Sequence, residues 1–232
     1  MNKTFFFILL FFSLCLPLET LAWKPLQKGW DYQQEGSRIH LFQIDPREYR
    51  FDLLVARDNN TPTLAAKTYR EKSGALLVVN GGFFDENFRS LGLLVKKGKI
   101  LNPLRNSEWG IFQIRDKTPS VIHRRDWNPE KVEIAIQVGP RLVIDGRIPS
   151  FKPEEEPHRR SAIGVTKEGK ILIAIADEPI EMKKWAELIQ RYAPFAMNLD
   201  GGGSSQISVR LKDLSLELIG TTAIPNAVAV FP

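Results

Sequence analysis

The chain has 232 residues, of which 32 are Lys or Arg and 27 are Asp or Glu, and its formal net charge is +5. The basic residues are dispersed rather than interleaved with aromatic residues, and no nucleic-acid-binding motif occurs, so we expect no nucleic-acid partner. The only cysteine is Cys15. Because it falls in a predicted targeting segment, thiol catalysis, cysteine-ligated metal sites and disulfides are excluded for the remainder of the chain.

The N-terminal segment is typical of a secretory signal peptide. Lys3 supplies a positive charge, and residues 5–16 form an apolar core that is too short for a comfortable membrane span. Thr20-Leu21-Ala22 offers the small residues that a signal peptidase reads. We therefore predict cleavage of residues 1–22, with an uncleaved anchor as the alternative. Residues 23–232 then form one domain of an exported protein, periplasmic or secreted, with no further membrane span.

Short runs rich in valine and isoleucine recur along this domain, separated by turn signals, and they predict β-strands. The predicted strands are residues 39–44, 51–55, 75–79, 91–95, 110–114, 132–138, 142–144, 162–165, 171–176 and 227–231. Three dipeptides between them are typical of hairpin turns: Lys97-Gly98, Asp145-Gly146 and Glu168-Gly169.

Two segments predict helices. Residues 63–72 begin next to Pro62 and stop before Gly74. Residues 180–192 place an apolar stripe on one face, and we expect this stripe, which includes Trp185, to be core. Many strands, several hairpins and two helices predict an α+β fold, a single domain around a large, mostly antiparallel sheet with a few helices.

The segment 198–206 reads Asn-Leu-Asp-Gly-Gly-Gly-Ser-Ser-Gln and follows a short apolar run at 193–197. If that run is a strand, Asn198 and Asp200 point to the face opposite Met197. Three glycines suit a backbone that turns sharply or lies against a ligand, with N–H groups available to an anion. A flexible turn is the alternative. The polar neighbours favour a site formed by Asn198, Asp200, Gly201, Gly202, Gly203, Ser204 and Ser205.

A second segment has the same design, because the predicted strand at 75–79 is followed by Asn80, Gly81 and Gly82. Two strands that each end in Asn and glycine could bring both loops to one mouth of the fold, which makes these three residues candidates for substrate binding. The alternative role of Asn80 is turn formation. Phe83 and Phe84 follow, as core or as an apolar wall for a sugar ring, and then Asp85.

A third segment, residues 158–164, enters a strand with Arg160 after the acidic loop 153–157. A guanidinium can grip a phosphate through two parallel hydrogen bonds. An ion pair between Arg160 and the glutamates of the acidic loop is an equally strong alternative.

Together these motifs resemble the phosphodiester glycosidase domain family. The resemblance rests on Asn-Gly-Gly-Phe-Phe at 80–84, Arg-Ser-Ala-Ile-Gly at 160–164, Asn-Leu-Asp-Gly-Gly-Gly-Ser-Ser at 198–205 and Pro-Asn-Ala-Val at 225–228. It implies hydrolysis of a sugar joined through its anomeric carbon to a phosphodiester, so that the partner is a phosphorylated or phosphodiester-linked glycan. It also implies one cleft that gathers Asn80, Asp85, Arg160, Asp200, Ser204 and Asn226. Thr222 departs from the pattern, because relatives often carry arginine there.

The resemblance assigns roles that fit the chemistry. A phosphodiester leaves as a stable anion, so the main need is a carboxylate that activates water or attacks the anomeric carbon. Asp200 is the first candidate and Asp85 the second. Arg160 and the N–H groups of residues 201–204 would hold the phosphate. Two asparagines would orient sugar hydroxyls or the loops themselves: Asn80 and Asn226.

Other chemistries fit less well. No cofactor is predicted: the three histidines are widely spaced and no zinc motif occurs, although a divalent cation held by Asp200, Asp85 and carbonyls stays an alternative. Ser204 lacks the following glycine that a serine nucleophile elbow requires. The competing functions are a non-catalytic module that binds phosphorylated envelope glycans and a phosphodiesterase that breaks the P–O bond.

Overall fold

The computed structural model describes residues 22–153 and 156–232. The predicted signal peptide therefore lies outside the described residues, apart from Ala22. Apolar runs bounded by glycine, proline and asparagine fold as short strands, as β-branched side chains favour. In chain order these are β1 (Lys24–Gln27), β2 (Trp30–Glu35), β3 (Ile39–Ile44), β4 (Arg50–Val55), β5 (Leu77–Asn80), β6 (Leu94–Lys96), β7 (Lys99–Asn102), β8 (Gly110–Arg115), β9 (Thr118–His123), β10 (Val132–Val138), β11 (Arg141–Val143), β12 (His158–Val165), β13 (Ile171–Ile180), β14 (Phe195–Asn198), β15 (Ile207–Arg210), β16 (Ser215–Leu218) and β17 (Asn226–Phe231).

Two α-helices complete the described part of the chain, α1 (Ala66–Ser73) and α2 (Met182–Gln190). Helix α2 falls inside the predicted segment 180–192, whereas α1 begins three residues later and ends one residue later than the predicted segment 63–72. Gly74 ends α1 in the left-handed conformation, with φ of 73°, which glycine adopts without a steric penalty. Three short 3-10 helices are also present: Ala56–Asn59, Arg124–Asp126 and Gly202–Ser204.

The strands form three antiparallel sheets. Sheet I has the order β1-β2-β3-β13-β12-β14-β11, sheet II the order β7-β6-β10-β8-β9, and sheet III the order β16-β15-β5-β17-β4. The predicted antiparallel pairing, the few helices and the single domain are confirmed. The expectation of one large sheet is corrected to three, and the class is largely β rather than α+β.

One hydrophobic core is enclosed by the inner faces of all three sheets. Phe42 of sheet I, Phe112 of sheet II and Leu53 of sheet III are fully buried in it. A second cluster lies between the outer face of sheet I and α2, where Trp185 is 0 % exposed, so the stripe predicted as core is core. A third cluster packs α1 against sheet III, with Tyr69 buried.

Two of the predicted turns are tight two-residue turns with positive φ at both residues. Lys97 and Gly98 have φ of 49° and 76°, and Asp145 and Gly146 have φ of 48° and 71°, the left-handed values of a type I′ turn. At the third turn only Gly169 has a positive φ. No helix of the described residues is long and apolar enough to cross a membrane.

Candidate active site

The two glycine motifs meet, although they belong to different sheets. β5 of sheet III ends at Asn80 and β14 of sheet I ends at Asn198. The N–H of Asp200 donates to the carbonyl of Gly81 at 3.0 Å. The Nδ2 of Asn80 donates to the carbonyl of Asp200 at 2.7 Å. These two bonds join the ends of the strands, as the matching sequence design suggested.

Strand β12 brings Arg160 to the same junction. Its pairing with β14 matches Ala162 to Asn198 and continues through a bond of 2.8 Å from the N–H of Leu199 to the carbonyl of Ser161. Arg160 is the residue before Ser161 in β12, so it lies near the chain that follows β14. Because alternate residues of a strand share a face, Arg160 lies on the same face of sheet I as Ala162, which packs in the cluster with α2.

The guanidinium of Arg160 is held close to the glycine loop. Arg160 is 3 % exposed, and its Nε donates to the carbonyl of Ile180 at 2.9 Å. Its Nη1 lies 3.9 Å from the position that a Cβ would occupy on Gly201. The cation therefore lies beside the glycine loop at the point where β13 leads into α2.

The carboxyl group of Asp200 has a partly buried environment. Burial raises its pKa above the ordinary value, while hydrogen bonds from the Ser204 side chain and the Gly201 N–H act in the opposite direction. Burial disfavours the charged form, and the two donors stabilise it. A carboxylate with a raised pKa is a better proton acceptor than an exposed one, which is the property required of a general base.

The glycine loop leaves two N–H groups without a hydrogen-bond acceptor among the described residues, those of Gly202 and Gly203. The N–H of Ser204 donates to the carbonyl of Gly201 at 3.2 Å, and that of Ser205 to the carbonyl of Gly202 at 3.2 Å. Of the four N–H groups predicted to hold a phosphate, the geometry thus leaves Gly202 and Gly203 available to a ligand.

Asn80 and Asn226 hold the loops in place. Asn80 is fully buried, and its Oδ1 accepts the N–H of Gln206 at 3.2 Å while its Nδ2 bonds Asp200. Asn226 is 1 % exposed. Its Oδ1 accepts the N–H of Gly82 at 2.7 Å and its Nδ2 donates to Ser90 Oγ at 3.0 Å. Of the two predicted roles for these asparagines, the contacts favour loop orientation.

The side chain of Asp85 closes its own loop. Its Oδ1 accepts the N–H groups of Asn87 at 2.9 Å and Arg89 at 2.8 Å. Among the described residues no hydrogen bond or ion pair links Asp85 to Asp200. Phe83 is partly buried against the main core and packs edge-on against Trp109, with ring centroids 4.9 Å apart.

Gln206 is a central residue that the sequence reasoning did not single out. It is 2 % exposed, and its Oε1 accepts the N–H of Ala66, the first residue of α1, at 2.7 Å. Its Nε2 donates to the carbonyl of Thr222 at 2.8 Å. The only signal was its place at the end of the glycine motif, because a single polar residue does not reveal partners 140 positions away.

Asn198 keeps an unused acceptor beside the carboxylate. It is 3 % exposed, and its Nδ2 donates to the carbonyl of Leu199 at 2.6 Å. Its Oδ1 is buried and has no hydrogen-bond partner among the described residues. A buried acceptor without a donor costs about 1–3 kcal/mol. The Asn198 side chain thus carries an unsatisfied acceptor in the interior of the junction.

A cavity of about 680 Å³ lies where β13 leads into α2. Its walls are residues 148–153 and the first turn of α2, and they include Phe151, Lys152, Met182 and Lys183. Glu181, which also lines it, follows Ile180, whose carbonyl accepts from Arg160. None of the predicted site residues is among its walls.

Residues 22–153 and 156–232 contain no group of three or more His, Cys, Asp or Glu side chains that could hold a metal ion.

Comparisons with known proteins agree on the class of fold. The catalytic domain of zebrafish N-acetylglucosamine-1-phosphodiester alpha-N-acetylglucosaminidase, auto-inhibited by its pro-peptide, has a TM-score of 0.68 at 19 % identity and covers 87 % of this chain and 78 % of its own. A hypothetical protein from Synechocystis has a TM-score of 0.61 at 15 % identity, covering 88 % of this chain and 62 % of its own. A Burkholderia pseudomallei K96243 protein described as exported has a TM-score of 0.62 at 13 % identity, covering 88 % and 74 %.

The fold is thus one found in solved structures of an animal enzyme domain and of bacterial proteins. The family model described as phosphodiester glycosidase matches residues 73–231, which is more than half of the chain. The chain belongs to the phosphodiester glycosidase family, as its motifs predicted. No curated protein matches its sequence.

Proposed function

We propose that the protein hydrolyses a glycosyl 1-phosphodiester at the bond between the anomeric carbon and the phosphate oxygen. In this reaction the oxygen of a water molecule bonds to the anomeric carbon, the C–O bond to the phosphate breaks, and a phosphate monoester leaves as an anion. The observation that carries the proposal is the partly buried Asp200, whose pKa is raised by burial, at the start of a glycine loop that has two unused N–H groups and Arg160 close to Gly201.

Asp200 acts as the general base in this proposal. Its carboxylate accepts a proton from water as the oxygen attacks, and the raised pKa makes that transfer more favourable. The main chain of Asp200 is fixed at both ends, by Asn80 and by Gly81. Fixing the main chain limits where the carboxylate can move, which pre-organises the attack. Asp85 stays the second candidate, at a loop that it stabilises itself.

The phosphate is bound by groups that do not move in the reaction. The N–H groups of Gly202 and Gly203 supply two donors, and Arg160 supplies positive charge beside them. Donors fixed in a site with little water stabilise negative charge as it develops on the leaving oxygen. Asn198 Oδ1 accepts a sugar hydroxyl, which satisfies its buried acceptor.

A substitution at Asp200 tests the role of its carboxylate. Asp200→Asn keeps the shape of the side chain and removes the base, so kcat/KM on a panel of glycosyl phosphodiesters should fall by about 10²–10⁴-fold. The matched control is Asp213→Asn, because Asp213 is exposed in the turn between β15 and β16. The control should keep wild-type turnover. Unchanged turnover of folded Asp200→Asn would remove Asp200 from the mechanism, and Asp85→Asn would then be decisive.

The same panel in ¹⁸O-labelled water separates the competing functions. Label in the released sugar means cleavage at the anomeric carbon, as proposed. Label in the phosphate means P–O cleavage by a phosphodiesterase. Tight binding of the phosphorylated glycans without turnover of any of them means a binding module.

Export is part of the proposal. The positive residue and apolar core at the N-terminus support it, as does the likeness to the Burkholderia protein described as exported. N-terminal sequencing of the secreted or periplasmic protein should begin at Trp23. A start at Met1 would instead mean a retained anchor.

A further inference from the structure

A second cavity lies at the opposite end of sheet I from Asp200. It measures about 580 Å³ and is formed by the C-terminal end of α2, the turn between β12 and β13, and Trp23. Strand β12 runs from Arg160 at the first site toward Lys167, which lines this second cavity. At about 3.3 Å per residue, these seven steps separate the two places by about 20 Å.

Two aromatic rings form a fixed corner of this cavity. Trp23 and Tyr192 meet edge to face, with centroids 5.5 Å apart and planes at 83°. The hydroxyl of Tyr192 bonds Glu35 and accepts a bond of 2.7 Å from Gln33 Nε2. Arg191 lies over the Tyr192 ring at 5.2 Å. These contacts immobilise the ring, so a ligand that packs against this corner loses little side-chain entropy there.

Amide groups surround the corner. Gln190 Nε2 donates to the carbonyl of Gly146 at 2.8 Å, which holds the side chain in place and leaves its Oε1 for a ligand. Gln43 also lines the cavity. Its side chain has no hydrogen-bond partner among the described residues. Amides offer both donors and acceptors, as hydroxyl-rich ligands require.

The charges around this cavity are balanced, which distinguishes it from a phosphate site. Arg191 forms an ion pair of 2.8 Å with Glu35. Lys167 stands next to Glu168 at the turn. With each cation accompanied by a carboxylate, the cavity suits an uncharged ligand better than an anion.

We propose that this cavity, defined by Trp23, Tyr192, Gln43 and Gln190, binds neutral sugar residues of a glycan, about 20 Å from the catalytic site. An aromatic face packs against the apolar C–H face of a sugar, and amides bond its hydroxyls. The choice of a glycan rests on the proposed function. A long glycan that occupies both places is retained by the sum of two contacts, which raises its effective concentration at Asp200.

The test measures binding and turnover separately on the full-length protein. The binding probes are neutral trisaccharides of glucose and of N-acetylglucosamine, titrated by isothermal calorimetry and by protein NMR. Trp23→Ala and Gln43→Ala should each weaken trisaccharide binding by 10-fold or more. Both should leave kcat/KM on a small glycosyl phosphodiester unchanged. Trp127→Ala removes a partly buried tryptophan that packs on a different cluster, and this control should bind as the wild type does.

The outcomes separate this inference from the proposed function. Absence of trisaccharide binding to the wild type, or equal binding by Trp23→Ala and Gln43→Ala, overturns it. Binding that depends on Trp23 in a protein that hydrolyses no glycosyl phosphodiester supports the second site and overturns the proposed reaction. If Trp23→Ala fails to fold, Gln43→Ala still tests the proposal, because this substitution removes no side chain of the hydrophobic core.

Discussion

Gly81 lies where no side chain fits. A Cβ on Gly81 would be 2.0 Å from Asn226 Oδ1 and 2.9 Å from the Asn226 carbonyl oxygen. Gly81→Ala therefore displaces the Asn226 side chain and breaks its bonds to the Gly82 N–H and to Ser90 Oγ. Each buried group left unpaired costs about 1–3 kcal/mol, so the two bonds together cost about 2–6 kcal/mol.

This cost should be visible in thermal unfolding followed by circular dichroism. For a domain of this size 1 kcal/mol lowers Tm by about 2–4 °C, so Gly81→Ala should lower Tm by roughly 5–20 °C. The control is the next residue. A Cβ on Gly82 meets nothing closer than Val138 Cβ at 3.4 Å, an ordinary contact, so Gly82→Ala should change Tm by no more than about 2 °C. Equal Tm values for the two variants would refute the role assigned to Asn226.

Two further predictions concern stability and the glycine loop. Burial raises the pKa of Asp200 in the folded protein above its ordinary value of 3.8. Protonated Asp200 is therefore compatible with burial at low pH, and the folded state loses stability as pH rises from 3.8 through the raised pKa and the carboxyl group becomes charged. Asp200→Asn should therefore raise Tm relative to the wild type more at pH 7 than at pH 3.5; a difference that does not vary with pH would contradict this. Gln206→Ala should lower Tm by several degrees and accelerate amide exchange at Ala66, whose N–H loses its acceptor. Exposed Gln34→Ala is its control, and protection of the Ala66 amide in Gln206→Ala would count against the assignment.

Strands buried on both faces were predictable from the sequence. Residues 39–44 and 132–138 match β3 and β10 to the residue, because predominantly apolar runs are bounded by turn signals at both ends. Strands β2 and β15 were missed. Strand β2 reads Trp-Asp-Tyr-Gln-Gln-Glu and β15 is the four-residue Ile-Ser-Val-Arg, so polar residues weaken the apolar signal in both, although Gln33 and Ser208 are buried.

Tertiary contacts decided the helix boundaries. Helix α1 was predicted from residue 63 and begins at Ala66. Leu64 is instead extended and pairs with Ile224, and Gln206 caps the first N–H of the helix from a distance. Helix α2 was predicted from residue 180, but Ile180 pairs with His158 as the last residue of β13. Propensity alone cannot anticipate such partners.

The meeting of the two glycine motifs was predictable from the sequence. Asn80 and Asn198 marked two strand ends that are followed by glycines, and the structure joins them. The sequence could not tell which polar groups were already occupied. Asn80 and Asn226 have their side chains bonded internally, while Asn198 keeps an acceptor unused. That distinction depends on the register between strands that lie far apart in the chain.

The bonds that assemble the junction determine how late in folding the candidate site forms. Asn80 and Asp200 are 120 positions apart, and Gly82 and Asn226 are 144 positions apart. Contacts with such long sequence separation form late in folding, because a long loop must close first. A chain that lacks Asn226 carries nearly all of the motifs but has no acceptor for the Gly82 N–H. The junction is therefore complete only when β17 has paired with β5 in sheet III.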